Sequence, residues 1–253
     1  MTADTSTQST AVHPISLDGR VFVVTGGASG IGRAIATMLA AADARPVLLD
    51  LDAAALETVS RELGGALAIR ADITVQEDVD RAVAEVLATH GRIDGLVNNA
   101  GISLHEPVAS VGLDDFRHAL EINTVGALRM LQAVVPAMRE AGFGRIVNVS
   151  SGTTRIALVG GGPYAATKSA LNMLSAVSRA ELAGDGIAVS EVLPSITASN
   201  FGGGRYKAGE ESLPGLVTHT PEYPARAILR AIVTGEPTFD VPHGPEDPDY
   251  LAA

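Results

Sequence analysis

The sequence predicts a doubly wound α/β fold with a parallel sheet, and three observations lead to this prediction. Short apolar runs rich in Val, Ile and Leu recur along the chain, longer segments with helical spacing alternate with them, and no internal repeat is found. Strands of a parallel sheet are apolar throughout because helices cover both faces, and each parallel pair needs a crossover connection. We therefore expect one sheet of about seven strands between two layers of helices.

The predicted strands and helices alternate along most of the chain. The apolar runs that predict strands cover residues 21–24, 47–49, 66–69, 93–97, 146–149, 187–193 and 238–241. The segments with helical spacing cover residues 31–42, 75–90, 113–139, 165–182 and 221–233. We expect residues 17–253 to form one domain, residues 1–16 to form a loose Thr- and Ser-rich arm, and the glycine-rich segment 200–216 to form a mobile flap.

Composition excludes several classes of partner and chemistry. Acidic residues outnumber basic residues 29 to 18, and the resulting net charge of -11 disfavours nucleic acid and anionic membrane surfaces. The absence of cysteine excludes disulfides, thiolate metal sites and thiol nucleophiles, and it fits a reducing compartment. No apolar stretch reaches the roughly 20 residues that a membrane span needs, and the first residues lack the features of a signal peptide. We expect a cytosolic protein whose redox chemistry, if any, comes from a bound cofactor.

A glycine-rich loop, TGGASGIG at residues 25–32, joins the first predicted strand to a helix. Its glycines allow a tight turn, close backbone approach to a pyrophosphate and close packing of helix on strand. The helix N-terminus then directs its amides at the anion. The spacing Gly-x3-Gly-x-Gly differs from the commoner G-x-G-x-x-G, and a plain turn is the alternative interpretation. The loop residues assigned to the cofactor are Gly26, Ser29, Gly30, Ile31 and Gly32.

Asp50 ends the second predicted strand, where a carboxylate accepts hydrogen bonds from the adenosine ribose hydroxyls of a dinucleotide. A 2'-phosphate would meet a negative charge there, and the next residues are Leu51 and Asp52 rather than Arg or Lys. The position therefore predicts NAD as the cofactor. Alternatively Asp50 caps the following helix, a role that suits Asp52 better.

Further polar motifs follow the later strands in a fixed order. Asp72 follows the third strand, the run 98–101 (NNAG) follows the fourth, and the run 123–126 (NTVG) lies in the next helix. Ser150 and Ser151 close the fifth strand, and the run 164–168 (YAATK) opens the helix after it. From about Gly19 to Val241 the chain resembles the short-chain dehydrogenase/reductase family, in its single-domain branch. The resemblance implies a Rossmann fold and an NAD-dependent oxidoreductase that interconverts a secondary alcohol and a ketone.

The residue types explain this chemistry without reference to the family. Tyr164 and Lys168 are four residues apart and share one face of a helix, so the ammonium is expected to favour the phenolate. Tyr164 then removes the alcohol proton as hydride leaves, or donates it in the reverse reaction. Ser151 lies at a strand end that faces the same crevice, and its hydroxyl holds the substrate oxygen. This mechanism needs no metal.

The resemblance assigns further roles. It assigns the contact with the substrate oxygen to Ser151 rather than Ser150. It also implies that Asn123 binds a water that extends a proton path from Lys168. The alternative is that Asn123 has only a structural role in its helix. In the family pattern Asp72 and the backbone of Ile73 contact adenine, and Lys168 binds the nicotinamide ribose. The run Asn99, Ala100 and Gly101 passes beneath the adenosine ribose, unless it forms only a turn. Outside the glycine loop, the predicted cofactor-binding residues are Asp50, Leu51, Asp72, Ile73, Asn99, Ala100, Gly101, Tyr164, Lys168, Pro194, Thr197 and Ser199.

Two segments depart from the family pattern. The family usually has Gly after the Pro that ends the sixth strand and Thr five positions beyond that Pro, whereas this chain has Ser195 and Ser199. The family often ends in a glycine-rich strand and tail that helps to build a tetramer, whereas this chain ends in an acidic tail. We expect a homo-oligomer, with pairing through the helices of Asn123 and Tyr164, and either a dimer or a tetramer.

The apolar stretch 156–162 lies between the serine and the tyrosine, so it is expected to border the substrate unless it belongs to the core. This position predicts an alcohol or ketone with a lipophilic body. His105 either contacts that substrate or is a surface histidine. Two other functions stay open: a nucleotide-sugar epimerase or dehydratase, for which little chain remains after Pro194, and a non-catalytic NAD sensor, which would not need the tyrosine and lysine.

Overall fold

The computed structural model describes residues 14–199, 201, 203–204 and 206–251. The predicted arm lies mostly outside these residues, but its last part is ordered against the domain. The amide of Ile15 donates to the carbonyl of Val233 at 3.0 Å, and Leu17 is buried. This bond ties Ile15 to α7, and the boundary of the arm at residue 16 stays a prediction.

Seven parallel strands form the central sheet, which confirms the predicted fold class. In chain order the strands are β1 (Val21–Thr25), β2 (Arg45–Asp50), β3 (Ala68–Arg70), β4 (Gly95–Asn98), β5 (Gly144–Val149), β6 (Ile187–Leu193), β7 (Glu211–Leu213), β8 (Leu216–Val217) and β9 (Thr238–Asp240). The sheet order is β3-β2-β1-β4-β5-β6-β9, while β7 and β8 pair separately as a small antiparallel sheet. The strand order reverses between β1 and β4, and a crevice at such a switch point is where doubly wound folds bind ligands.

The α-helices cover both faces of this sheet. They are α1 (Gly30–Ala41), α2 (Ala53–Glu62), α3 (Gln76–His90), α4 (Leu113–Leu120), α5 (Ala127–Ala141), α6 (Gly162–Leu182) and α7 (Glu222–Thr234). The segment 113–139, predicted as one helix, is divided by a π-helical stretch, Glu121–Gly126. The wider turn of a π-helix changes the direction in which its side chains point, and hydrophobic periodicity does not reveal such a local change.

The core lies in two main layers because alternate residues of each strand face opposite sides of the sheet. Val21 and Val23 of β1 pack in the cluster that includes buried residues of α3 and α5. Phe22 and Val24 pack on the other side with residues of α1 and α7. Burying a side chain of this size contributes roughly 1.5–3 kcal/mol, so the two clusters are the main source of stability.

A buried chain of polar side chains crosses the sheet near its carboxyl edge. The Asn98 amide donates to the Asn148 side-chain oxygen at 2.9 Å and to the Ala127 carbonyl at 3.0 Å. The Asn148 amide in turn donates to the Ser175 hydroxyl at 2.8 Å. These bonds connect β4 and β5 with α5 and α6, and buried hydrogen bonds of this kind fix the relative position of elements.

Gly95 provides a test of how tightly the sheet is packed. A Cβ atom at this position would lie 2.3 Å from Phe22 Cδ1 and 2.9 Å from the Arg145 carbonyl oxygen. We expect Gly95→Ala to lower the free energy of unfolding by about 1–3 kcal/mol because the core must shift. Gly184→Ala is the control, since a Cβ there meets nothing within 4 Å. Equal urea midpoints for the two variants would contradict this account of the packing.

Candidate functional site

A cavity of about 460 Å³ opens at the carboxyl ends of the central strands. It holds nearly all of the residues predicted from the sequence to bind cofactor or substrate. Gly32 and Asn123 lie outside its lining. The predicted residues that line it are Gly26, Ser29, Gly30, Ile31, Asp50, Leu51, Asp72, Ile73, Asn99, Ala100, Gly101, Ser151, Tyr164, Lys168, Pro194, Thr197 and Ser199.

The glycine loop forms a narrow cradle between β1 and α1. Gly26 has φ of +65°, and a Cβ atom on Gly32 would lie 2.0 Å from the Gly26 carbonyl oxygen, so only glycine fits at position 32. The Ser29 side chain at the N-cap of α1 makes no capping hydrogen bond, and the first turn of the helix holds no acidic residue. Free amides at an uncapped helix N-terminus suit an anion, so the loop fits the pyrophosphate of a dinucleotide.

Asp50 and Asp52 have separate roles in the structure. One oxygen of Asp50 accepts from the Ala28 amide at 3.1 Å, and the other accepts from the Leu51 amide at 2.8 Å. Asp52 accepts from the amides of the first turn of α2 and is its N-cap. The alternative interpretation of Asp50 as the helix cap is therefore wrong, and its carboxylate lies on the cavity wall beside the glycine loop.

Thr25 joins the ends of β1 and β4 at the switch point. Its hydroxyl accepts from the amides of Asn99 and Ala100 at 3.0 and 3.1 Å, and the Asn99 side chain donates to the Thr25 carbonyl at 3.0 Å. At the far end of the cavity, one carboxylate oxygen of Asp72 accepts from both the amide and the hydroxyl of Thr74. These bonds hold both segments at the cavity wall.

The Ser151 hydroxyl lies beside the Tyr164 phenol in the cavity lining and lowers the pKa of that phenol. Thr153 donates twice to the Ser151 hydroxyl oxygen, from its own hydroxyl at 2.9 Å and from its amide at 3.2 Å. A hydroxyl oxygen has two lone pairs, so these two donors leave Ser151 to act as a hydrogen-bond donor. Ser150 is buried, and its hydroxyl has no hydrogen-bond partner among the described residues. The geometry thus supports Ser151 rather than Ser150 as the serine beside the tyrosine.

Lys168 lies below Tyr164 on the same helix and is buried. Its ammonium donates to the Val149 carbonyl at 2.9 Å, and burial lowers its pKa to about 8. Burial also raises the pKa of Tyr164 to about 12, a shift opposed by the hydrogen bond from Ser151. Loss of hydration is the largest cause of the shift, so the phenol of the chain itself is less acidic than a free tyrosine, and its activation by Lys168 stays a prediction.

Asn123 lies in the π-helical stretch behind the cavity wall. Its side chain accepts from the Ile102 amide at 2.8 Å and donates to the Ile102 carbonyl at 2.9 Å and to the Thr167 hydroxyl at 3.0 Å. A Cβ on Gly101 would lie 2.9 Å from Asn123 Oδ1 and 3.5 Å from Lys168 Nζ. Asn123 is thus packed close to the lysine.

The segment after β6 closes the cavity from above. The Pro194 carbonyl accepts from the Gly152 amide at 2.8 Å, and the Thr197 hydroxyl donates to the Ser195 carbonyl at 3.1 Å. The Ser199 hydroxyl accepts from the Phe201 amide at 3.2 Å. These bonds order the segment, and Ser199 lies next to the glycine loop, since a Cβ on Gly30 would lie 3.2 Å from the Cβ of Ser199.

The substrate side of the cavity is mostly apolar. Ile156 and Leu158 line it, and because Ile156 is 44% exposed the alternative that this stretch belongs to the core is wrong. His105 lines the same side and is exposed, so both interpretations of it stay open. Phe201, in the described part of the predicted flap, places its ring edge-on to Tyr164 with centroids 5.8 Å apart.

His243 and Thr153 also line the cavity and were missed by the sequence analysis. No motif marks His243, since it lies in the tail that follows β9 and reaches the site only through tertiary folding. Thr153 had a weak signal, because a hydroxyl two residues after a strand-end serine can bond back to it.

The fold and this cavity define a class of protein: an oxidoreductase that binds a dinucleotide at the switch point of a doubly wound sheet. The family described as "short chain dehydrogenase" matches residues 20–208, and the chain belongs to that family. It is an oxidoreductase that acts on the CH–OH group of alcohols. No helix in the part of the chain that the structure describes is long and apolar enough to cross a membrane.

Similar proteins include enzymes of known name. The chain is 36% identical over 225 residues to D-threitol dehydrogenase of Mycolicibacterium smegmatis. This alignment covers 85% of the present chain and 86% of the dehydrogenase. It is 38% identical over 181 residues to 2,5-dichloro-2,5-cyclohexadiene-1,4-diol dehydrogenase of Sphingobium indicum, with 70% and 72% covered. The structure of 3-ketoacyl-(acyl-carrier-protein) reductase from Brucella melitensis complexed with NADH superposes with a TM-score of 0.83 at 31% identity, with 90% and 99% covered.

Burial of Lys168 connects the stability of the fold to pH. Its pKa is about 8 in the folded chain and near its ordinary value of 10.5 when unfolded, so between these values the unfolded chain binds more protons. Stability should therefore rise with pH across this window, by up to roughly 3 kcal/mol from this group. Lys168→Met should remove that rise. Urea unfolding of both proteins at pH about 8 and about 10 measures it, and parallel pH profiles would contradict the assignment.

Proposed function

We propose that the protein is an NAD-dependent dehydrogenase that interconverts a secondary alcohol and a ketone. The observation that carries this proposal is the meeting of Ser151, Tyr164 and Lys168 in the same cavity as the uncapped N-terminus of α1 and the carboxylate of Asp50. When bound, NAD supplies the acceptor for the hydride, and the chain supplies the proton chemistry and the orientation of the substrate.

Ser151 and Tyr164 act together on the substrate oxygen. The two donations from Thr153 leave the Ser151 hydroxyl one proton to donate, and on substrate binding this proton turns from Tyr164 to the substrate oxygen and stabilises charge on it. Tyr164 accepts the alcohol proton in oxidation and returns it in reduction. Because its pKa is raised by burial, the phenolate depends on positive charge and hydrogen bonds that the assembled site brings to it.

In this proposal Lys168 stabilises the phenolate of Tyr164, and Asn123 extends the path of the proton. With a pKa of about 8, Lys168 is mostly protonated at neutral pH, and its ammonium favours the phenolate and can bind a ribose hydroxyl. Asn123 is packed beside Ile102 and close to the lysine, in position to anchor a water that continues the proton path.

The choice of NAD over NADP rests on Asp50. Its carboxylate lines the cavity at the end of β2, where it can accept from both ribose hydroxyls and repels a 2'-phosphate. Leu51 and Asp52 follow it, so neither of the next two residues supplies a cation that would offset that repulsion. The similar Brucella reductase was determined with NADH, which agrees with this choice.

The apolar lining from Ile156, Leu158 and Phe201 favours a substrate with a lipophilic body. The dehydrogenases to which the chain is similar are named for alcohols with more than one hydroxyl. The names of these relatives do not support the two other functions that the sequence left open, the nucleotide-sugar epimerase or dehydratase and the non-catalytic NAD sensor. Pairing of two chains through α6, where Met173 and Val177 are exposed, is the oligomer we propose.

Removal of the Tyr164 hydroxyl tests the chemistry. Tyr164→Phe should lower kcat by about 10²–10⁴-fold, because the proton acceptor is lost, while NADH affinity measured by fluorescence changes little. Tyr250→Phe is the matched control, since that ring packs on Tyr223 away from the cavity lining. Turnover of Tyr164→Phe at the rate of the unsubstituted enzyme would rule out the proposed acid/base.

Replacement of Asp50 tests the cofactor choice. The native protein should show a kcat/KM ratio for NAD over NADP of at least about 10², and Asp50→Ser should reduce this ratio at least about tenfold because the repulsion is removed. Asp52→Asn is the control, because it keeps the cap of α2 and removes a nearby charge. Comparable efficiency of the native protein with both cofactors would disprove NAD specificity.

A further inference from the structure

The C-terminal tail brings an imidazole next to the catalytic serine. His243 follows β9 and lines the cavity, and a Cβ on Gly152 would lie 3.0 Å from its Cε1. Gly152 directly follows Ser151, and consecutive Cα atoms are about 3.8 Å apart. The ring therefore lies within a few ångströms of the loop that carries the serine. The mechanism proposed above leaves this side chain without a role.

The position of His243 is fixed by bonds on several sides. Its Nδ1 lies 2.9 Å from the Ser195 hydroxyl oxygen, and its carbonyl accepts from the Val217 amide at 3.0 Å. The next residue, Gly244, has its carbonyl 2.7 Å from Nε2 of the fully buried His219. Because the backbone and the ring are both held before a ligand arrives, binding through this ring costs little ordering entropy.

Ser195 and His243 both lie in segments where this chain departs from the family pattern, and they contact each other. Ser195 stands where the family usually has Gly after Pro194, and His243 lies in the acidic tail that replaces a glycine-rich end. Glycine at position 195 would leave Nδ1 without this partner. The two departures thus form one structural unit at the substrate side of the cavity.

The second ring nitrogen of His243 is available to a ligand. Nε2 has no hydrogen bond to any residue that the structure describes, and the ring is half-buried. When the Ser195 hydroxyl donates to Nδ1, the ring proton is on Nε2, which then donates to an oxygen. The charged groups on the described cavity wall are Asp50, Asp72 and Lys168, so an anionic ligand finds little support beyond the lysine.

We propose that His243 is a specificity-determining residue that binds a second, uncharged oxygen of the substrate. The substrate class is then a secondary alcohol with a hydroxyl or carbonyl group on a neighbouring carbon, the oxidised product being the hydroxyketone or diketone. This inference rests on the proposed function of the same cavity. A site built to bind an oxygen rejects an analogue that lacks it, because the polar group of the protein is left unpaired.

Matched pairs of alcohols test the proposal: butane-2,3-diol against butan-2-ol, and trans-cyclohexane-1,2-diol against cyclohexanol. NADH formation gives kcat/KM for each, and the native enzyme should favour the diol of at least one pair by at least about tenfold. His243→Leu should lower that ratio by at least about tenfold, because kcat/KM for the diol falls while kcat/KM for the simple alcohol does not. His243→Gln retains a hydrogen-bond donor and should keep part of the diol preference. Ser195→Ala should lower it less than His243→Leu.

His118→Gln, which removes an exposed histidine of α4, is the control and should keep the native ratio. NADH fluorescence and the melting temperature show that each variant is folded. An unchanged ratio in His243→Leu, an equal loss on both alcohols of a pair, or no diol preference in the native enzyme overturns the role of His243 and leaves the proposed function standing. If no compound gives NADH formation that Tyr164→Phe abolishes, the proposed function fails as well.

Discussion

The burial of Lys168 is the constraint on which the rest of the site depends. An ammonium out of water is stable only when hydrogen bonds replace its hydration, and here the carbonyl of Val149, at the end of β5, accepts one. Burial also raises the pKa of the neighbouring Tyr164, so desolvation shifts both side chains toward their neutral forms. The apolar clusters on the two faces of the sheet offset this cost, as is common at sites that need perturbed pKa values.

Strand ends and one irregular helix bring the reactive groups together. Val149 and Ser151 come from the end of β5, while Tyr164 and Lys168 come from one face of α6, so the geometry between serine and phenol depends on how α6 packs on the sheet. The buried bonds from Asn98 to Asn148 and from Asn148 to Ser175 fix that packing. The π-helical stretch serves the same end, because it directs the Asn123 side chain toward Ile102 and the base of the cavity.

The cofactor half of the cavity was predictable because backbone geometry determines it. Glycine is required at position 32 because a Cβ atom there would collide with the Gly26 carbonyl oxygen, and Asp50 is placed by the length of β2, which it ends. Such requirements fix both the residue type and its spacing, so they can be recognised in the sequence. The strands were predicted well for the same reason, since parallel strands buried on both faces are continuously apolar. The break in the helix at Glu121–Gly126 left no mark, because the apolar pattern continues through it.

The substrate half could not be predicted in the same way, because its side chains come from segments far apart in the sequence. Thr153, Phe201 and His243 line one cavity only after the chain has folded. Thr153 lies in a single 3₁₀ turn and the other two lie in loops, so no periodic spacing places them. The tail illustrates the difference: its direction depends on the bond between His219 and Gly244 and on the packing of Tyr250 against Tyr223. Residues held by such contacts can change without disturbing the sheet, and so the part of the cavity that selects the substrate is free to vary while the cofactor half is not.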